Sequence, residues 1–67
     1  MSIQTRLGRN IRKLRESKKM SQEELGFEAD LDRTYVSGVE RGVRNPTILV
    51  LEKFAKALGV GVGKLVE

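Results

Sequence analysis

Residues 21–42 read SQEELGFEADLDRTYVSGVERG and carry the signals of two short helices joined by a turn. Ser21 and Glu24 have the spacing of a capping box, in which each side chain accepts a hydrogen bond from the backbone N–H of the other residue. The first of these helices is therefore predicted to start at Ser21 and to run to about Ala29. Asp32 is a favourable N-cap residue, which predicts that a second helix starts there.

The second predicted helix runs from Asp32 to Arg41 and buries one face. Val36 and Val39 are its apolar residues at helical spacing, and Gly42 can adopt the left-handed conformation that ends a helix. Two short helices separated by a turn of about three residues have the dimensions of a helix-turn-helix. The opposite stripe of the second helix is predicted to face outward, and it consists of Arg33, Thr34, Ser37, Gly38 and Arg41.

Helical periodicity continues on both sides of this pair. A first helix is predicted over residues 3–18, and a fourth begins after Thr47, which can cap it, and ends before Gly59. A short fifth helix is predicted within residues 60–67, although two glycines oppose it. The side chains predicted to face the core from these three helices are Ile3, Leu7, Ile11 and Leu14, then Ile48, Leu51, Phe54, Ala55 and Leu58, then Val62, Leu65 and Val66.

The chain is predicted to be all-α, a compact bundle of about five short helices that forms a single domain over residues 1–67. At this length there is one small core, and the hydrophobic content of 39% is typical of a globular chain. Cys and His are absent, which excludes zinc fingers, disulfides and thiol or imidazole catalysis. We therefore expect no enzyme, no cofactor, no metal and no small-molecule substrate. The chain has neither a long apolar run nor a signal segment, so we expect no membrane partner and a cytoplasmic location.

The charge distribution favours an anionic partner. The chain has 13 Lys and Arg against 9 Asp and Glu, a formal net charge of +4. Basic residues dominate residues 1–20 and 41–67, whereas acidic residues dominate residues 21–40. A negative segment opposes binding to phosphates, but several of its carboxylates lie at predicted helix N-termini, where the helix dipole favours negative charge. The acidic segment is therefore compatible with a nucleic acid as partner.

Residues at fixed offsets across the helix pair give a resemblance to a known family. From Gln22 to Gly42 the sequence follows the pattern Q-x-x-L-x-x-x-A-x-x-x-x-x-x-V-x-x-V-E-x-G. This pattern resembles the phage repressor and Cro-like helix-turn-helix family, often called the XRE family. Residues 33–46, RTYVSGVERGVRNP, are further similar to controller-type regulators of restriction-modification systems. The chain departs from the usual pattern at Gly26 and Asp30, where the family has Ala and Gly, but Gly26 permits close packing and Asp30 tolerates a left-handed turn.

The resemblance implies a lambda-repressor-like fold and a sequence-specific regulator of transcription that binds double-stranded DNA, with its recognition helix in the major groove. That helix is the one beginning at Asp32, so the outward stripe contains the candidate base-reading residues. Arg33 can pair with guanine O6 and N7, and Thr34 can place its methyl group against thymine. Ser37 hydrogen-bonds too permissively to define a base, and Gly38 offers only close backbone approach. Asp32 itself can either neutralise Arg33 or accept a hydrogen bond from cytosine.

Other positions in the motif are candidate phosphate contacts, for which the alternative is a solvated surface. Gln22 lies at a helix N-terminus, where free N–H groups favour an anion. The hydroxyl of Tyr35 can reach a phosphate, or its ring can pack against the first two helices. The resemblance also implies an ion pair between Arg15 and Glu40. The remaining phosphate candidates are Arg41, Arg44 and Asn45.

Family members commonly bind DNA as twofold dimers on inverted repeats, which makes a homodimer the expected assembly here. Apolar side chains beyond the needs of one core face suggest where the second copy binds; these are Leu49, Val50, Val60, Val62 and Val66. They can also simply complete the small core. The alternative function is a protein-interaction adaptor, or an antitoxin-like partner, with this fold and no operator of its own.

Overall fold

A computed structural model describes all 67 residues, which form five α-helices and no strand. The helices are α1 (Ile3–Ser17), α2 (Gln22–Ala29), α3 (Arg33–Glu40), α4 (Ile48–Leu58) and α5 (Val62–Leu65). This arrangement confirms the predicted all-α bundle and its helix boundaries to within one or two residues. The predicted helix-turn-helix is α2 followed by α3.

Local side-chain caps fix the starts of the helices. Ser21 and Glu24 make both hydrogen bonds of the predicted capping box at the start of α2. The Asp32 carboxylate accepts a hydrogen bond of 2.8 Å from the backbone N–H of Thr34, and so caps α3. Asp30, in the turn between the two helices, has a φ of 59°, the left-handed conformation that its short polar side chain was expected to tolerate.

One hydrophobic core joins all five helices. Val36 and Val39 on α3 are 0% and 1% exposed, which confirms the buried face predicted for the recognition helix. They pack in a cluster with buried side chains of the other helices, and the remaining members of that cluster are Leu7, Ile11, Leu25, Phe54, Ala55, Leu58 and Leu65. Because α3 has only one apolar face, burying that face directs its polar face outward.

Two of the predicted core positions are wrong. Ile3 and Ile48, the first residues of α1 and α4, are 57% and 62% exposed. Their helical spacing places them on the apolar face of each helix, but spacing does not report whether another element covers the first residue of a helix. Both side chains therefore remain at the surface.

The close approach of α1 to α3 sets the position of the recognition helix. Gly8 on α1 is buried against the C-terminal end of α3. A Cβ atom at this position would lie 2.5 Å from the carbonyl oxygen of Glu40, and closer still to that of Val39. Only a residue without a side chain allows the two helix backbones to come this near.

Candidate nucleic-acid interface

The outward face of α3 carries the polar residues that the sequence analysis singled out. Arg33, Thr34 and Arg41 are exposed and Ser37 is half-buried. Together with Gln22 from the start of α2, these four residues line an open polar cleft of about 210 Å³ that contains no hydrophobic side chain. The fold therefore brings together five of the predicted site residues from two helices. The other predicted residues, Tyr35, Gly38, Arg44 and Asn45, lie outside this cleft.

Asp32 and Thr34 form a local unit at the N-terminus of α3. The Thr34 hydroxyl donates a hydrogen bond to the same carboxylate oxygen that caps the helix. These hydrogen bonds from Thr34, together with the nearby charge of Arg33, hold the pKa of Asp32 below its usual value. The carboxylate makes no ion pair with Arg33. The Thr34 hydroxyl therefore has no proton left to donate, although its oxygen can still accept, and the Arg33 guanidinium is available to a ligand.

A largely buried ion pair ties α3 to α1, as the resemblance implied. Arg15 donates hydrogen bonds of 2.6 Å and 3.0 Å from Nε and Nη2 to the two carboxylate oxygens of Glu40. Its Nη1 donates to the backbone carbonyl of Met20, 2.8 Å away. The side chains of Arg15 and Glu40 are only 11% and 3% exposed. The Glu40 carboxylate raises the pKa of the arginine by hydrogen bonding.

The same carboxylate also holds Gln22, a contact that sequence reasoning missed. Gln22 Nε2 donates a hydrogen bond of 3.1 Å to Glu40 Oε1. A predicted phosphate ligand at the start of α2 is thus oriented by the last residue of α3, which leaves its amide oxygen and second N–H unused. No local signal reports a pairing between residues 18 positions apart.

Gly38 was predicted to face outward, and this prediction is wrong because Gly38 is buried. The side chain of Arg44, from the loop after α3, lies across it: a Cβ atom at Gly38 would be 2.8 Å from Arg44 Cγ. The Arg44 guanidinium continues over the ring of Tyr35, with its central carbon 5.6 Å from the ring centroid. The Tyr35 ring is half-buried against the core. Helical spacing correctly placed Gly38 on this side of α3. The residue that covers it comes from the following loop, and helical spacing does not predict the path of a loop.

The fold and the polar face of α3 define a helix-turn-helix protein, and comparison with known proteins agrees. Residues 11–65 match the helix-turn-helix family. The chain therefore belongs to this family of DNA-binding transcriptional regulators, which are not enzymes. It is 52% identical over 60 residues to Control protein C.BamHI of Bacillus amyloliquefaciens, which covers 88% of this chain and 74% of that protein.

Further relatives carry similar names. The chain is 42% identical over 64 residues to Control protein C.MunI of Mycoplasma sp, which covers 94% of this chain and 86% of that protein. Its structure matches the crystal structure of the restriction-modification controller protein C.AhdI from Aeromonas hydrophila with a TM-score of 0.91 and 44% identity, covering 92% and 94% of the two chains. The resemblance predicted from residues 22–42 is thereby confirmed.

Two further properties of the surface bear on possible partners. None of the five helices is both long and apolar enough to cross a membrane. No three acidic side chains are grouped so that they could hold a metal ion.

Proposed function

We propose that this chain regulates transcription by binding an inverted repeat in double-stranded DNA as a twofold dimer, with α3 of each copy in the major groove. All 67 residues act as one DNA-binding domain, located at the nucleoid in the cytoplasm. The observation that carries the proposal is the exposed polar face of α3, opposite the buried Val36 and Val39. The controller names of the relatives support a role in regulating a restriction-modification system.

The cleft suggests how the two kinds of DNA contact are divided. Arg33 and Thr34 lie at the N-terminal end of α3, the part of a recognition helix that approaches base edges, so they read bases together with Ser37. Gly38 is covered by the Arg44 side chain and is not proposed to approach DNA directly. The residues proposed to contact phosphates and hold the helix in register are Gln22, Tyr35, Arg41 and Asn45.

The first turn of α4 supports dimerisation. Leu49 is 68% exposed and Ile48 beside it is 62% exposed, so two large aliphatic side chains are adjacent at the surface. Val60, Val62 and other members of the apolar set named above are half-buried. If a twofold axis passes through this apolar surface, the same surface of a second copy would cover it.

A protein-interaction adaptor or antitoxin-like partner without an operator is the alternative function, and it is not favoured. Its surface would need no free cationic groups on α3, whereas Arg33 and Arg41 make no ion pair with any carboxylate of the chain. Relatives that are named as control proteins or regulators also support a DNA ligand.

Selection of bound duplexes from a random pool tests the proposal. We expect an inverted repeat to be enriched, with half-sites about one helical turn apart. Affinity for that duplex should fall linearly with salt on logarithmic axes, with a slope of about −0.9 for each phosphate neutralised. A single strand of the same sequence is the control and should compete weakly. Enrichment of unrelated sequences, or equal binding of duplex and single strand, would refute the proposed function.

A further inference from the structure

We infer that Arg44 determines base specificity, and that Gly38 is the residue that allows it to do so. The inference rests on the proposed function, since it concerns which residues of the same interface read DNA. Sequence reasoning assigned Arg44 to a phosphate contact because it lies in the loop after the recognition helix. The path of its side chain in the structure favours a different role.

The Arg44 side chain runs back along α3 toward the N-terminus of that helix. Its Cγ lies beside Gly38, and its guanidinium lies over Tyr35, three residues earlier. Three residues are nearly one helical turn, so the charged group is carried from the loop to the level of the first turn of α3. This is the part of a recognition helix that faces base edges. The guanidinium therefore lies nearly one turn closer to the N-terminus of α3 than Gly38 does.

Two features of the structure favour this position of the Arg44 side chain. A Cβ atom at Gly38 would lie 2.8 Å from Arg44 Cγ and 3.2 Å from Nε, so any larger residue at 38 displaces the side chain. The Tyr35 ring, itself held against the core, presents a face on which a guanidinium is stabilised by cation–π attraction. A flexible arginine held in advance loses less conformational entropy when it binds.

The guanidinium also remains free to bind. Arg44 is exposed, belongs to none of the three ion pairs of the chain, and donates no side-chain hydrogen bond. Its N–H groups form a planar fork that matches guanine O6 and N7 in the major groove. The proposed ligand of Arg44 is thus a guanine in each half-site, at a position other than that read by Arg33.

The test compares the sequences selected by four forms of the full chain: the wild type, Arg44→Ala, Gly38→Ala and the double variant. Arg44→Ala should lose its preference at one base position in each half-site, with about 5- to 150-fold less discrimination there, the usual value of a bidentate arginine–guanine pair. Gly38→Ala should lose preference at the same position, because the new methyl group displaces Arg44. Thermal unfolding of each variant confirms that the domain is folded.

The double variant separates an effect through Arg44 from a direct clash with DNA. If Gly38 acts only by positioning Arg44, then Gly38→Ala in the Arg44→Ala background should change the selected sequence no further. A further change would mean that the methyl group meets DNA itself, and would overturn the positioning role of Gly38. Arg41→Ala removes the same charge without this contact, and should weaken all duplexes evenly.

Other outcomes are equally decisive. If Arg44→Ala weakens all duplexes by the same factor, Arg44 is a phosphate contact and the inference fails, while the inverted repeat selected by the wild type still supports the proposed function. If the wild type selects no duplex sequence, the proposed function fails and the inference fails with it. Tyr35→Phe removes the hydroxyl proposed to contact phosphate but keeps the ring, so it should weaken all duplexes evenly and keep the preference at the Arg44 position. Loss of that preference would mean that the hydroxyl, and not the ring, supports Arg44.

Discussion

The guanidinium of Arg15 on α1 donates two hydrogen bonds, of 2.6 Å and 3.0 Å, to the carboxylate of Glu40 on α3. The same carboxylate accepts a third hydrogen bond from Gln22 on α2. One side chain thus fixes the relative positions of three helices, at the C-terminal end of the helix proposed to enter DNA. The ion pair is structural, and its carboxylate also orients Gln22, which is proposed to contact a DNA phosphate.

Removing Glu40 should unfold much of the protein. Glu40→Ala leaves the largely buried charge of Arg15 without its carboxylate partner, and loss of a partner from a buried ion pair typically costs about 3–5 kcal/mol. A domain of this size has roughly that much stability in total. Glu16→Ala removes the exposed partner of Arg12, with side chains 64% and 55% exposed, and should cost at most about 1 kcal/mol. Urea denaturation measures both, and equal costs would contradict the structural role of Glu40.

Gly8→Ala should destabilise the protein although alanine favours helices. The added Cβ meets backbone carbonyl oxygens of α3 that cannot move independently, and such overpacking typically costs about 1–3 kcal/mol. Gly63→Ala on α5 is the matched control, because nothing lies within 4 Å of its added Cβ. We expect Gly63→Ala to be neutral or stabilising by up to about 1 kcal/mol. A lower Tm for Gly63→Ala than for Gly8→Ala would refute the close approach of α1 and α3.

Local signals predicted the helices well, and long-range contacts account for what was missed. Caps such as Ser21 and Asp32 act within three residues, so the sequence reports them directly. Exposure of Ile48 depends on whether another element reaches the end of α4, which periodicity does not report. The burial of Gly38 by Arg44 depends on a loop path in the same way. The ion pair of Arg15 and Glu40 was predictable only from the family resemblance.

The capping carboxylate of Asp32 should make stability depend on pH. Its pKa is lower in the folded chain than the ordinary value of about 3.9, so its contribution is complete above about pH 4 and is lost as the pH falls through the folded pKa. Asp32→Ala should therefore lower the urea midpoint at pH 7, and its difference from the wild type should shrink in acid. Thr34→Val removes one of the two hydrogen-bond donors and should give a smaller pH-dependent loss. A difference that stays constant on acidification would contradict this assignment.

Arg33→Ala should relax base preference at one position in each half-site of the selected operator. The lost bidentate contact is worth about 1–3 kcal/mol of discrimination. Arg41→Ala removes the same charge from the other end of α3 and, as a phosphate contact, should weaken every duplex by a similar factor and reduce the salt slope by about 1. Binding measured on operators with single base changes distinguishes the two patterns. Identical patterns would show that the division between base and phosphate contacts is wrong.

Leu49→Asp should weaken dimerisation without unfolding the monomer, because Leu49 is 68% exposed in the single chain. Two copies of the charge would meet across the twofold axis, and the loss of two buried leucines should raise the dimer dissociation constant by about tenfold or more. Phe27→Ser removes a larger exposed side chain, 82% exposed on α2, and should leave dimerisation unchanged. Sedimentation equilibrium gives both constants. If only Phe27→Ser dissociates the dimer, the second copy binds at α2 instead.

The hydrogen bond between the Thr34 hydroxyl and Asp32 limits what this threonine can sense. With its proton already given to Asp32, the Thr34 hydroxyl would not donate to a base in the proposed complex, and its methyl group would distinguish bases by the presence or absence of a C5 substituent. Deoxyuridine in place of thymidine at that step of the operator would leave every base-pairing edge intact and still weaken the complex. In an operator that has cytosine at that position, methylation at C5 would offer Thr34 the same methyl group.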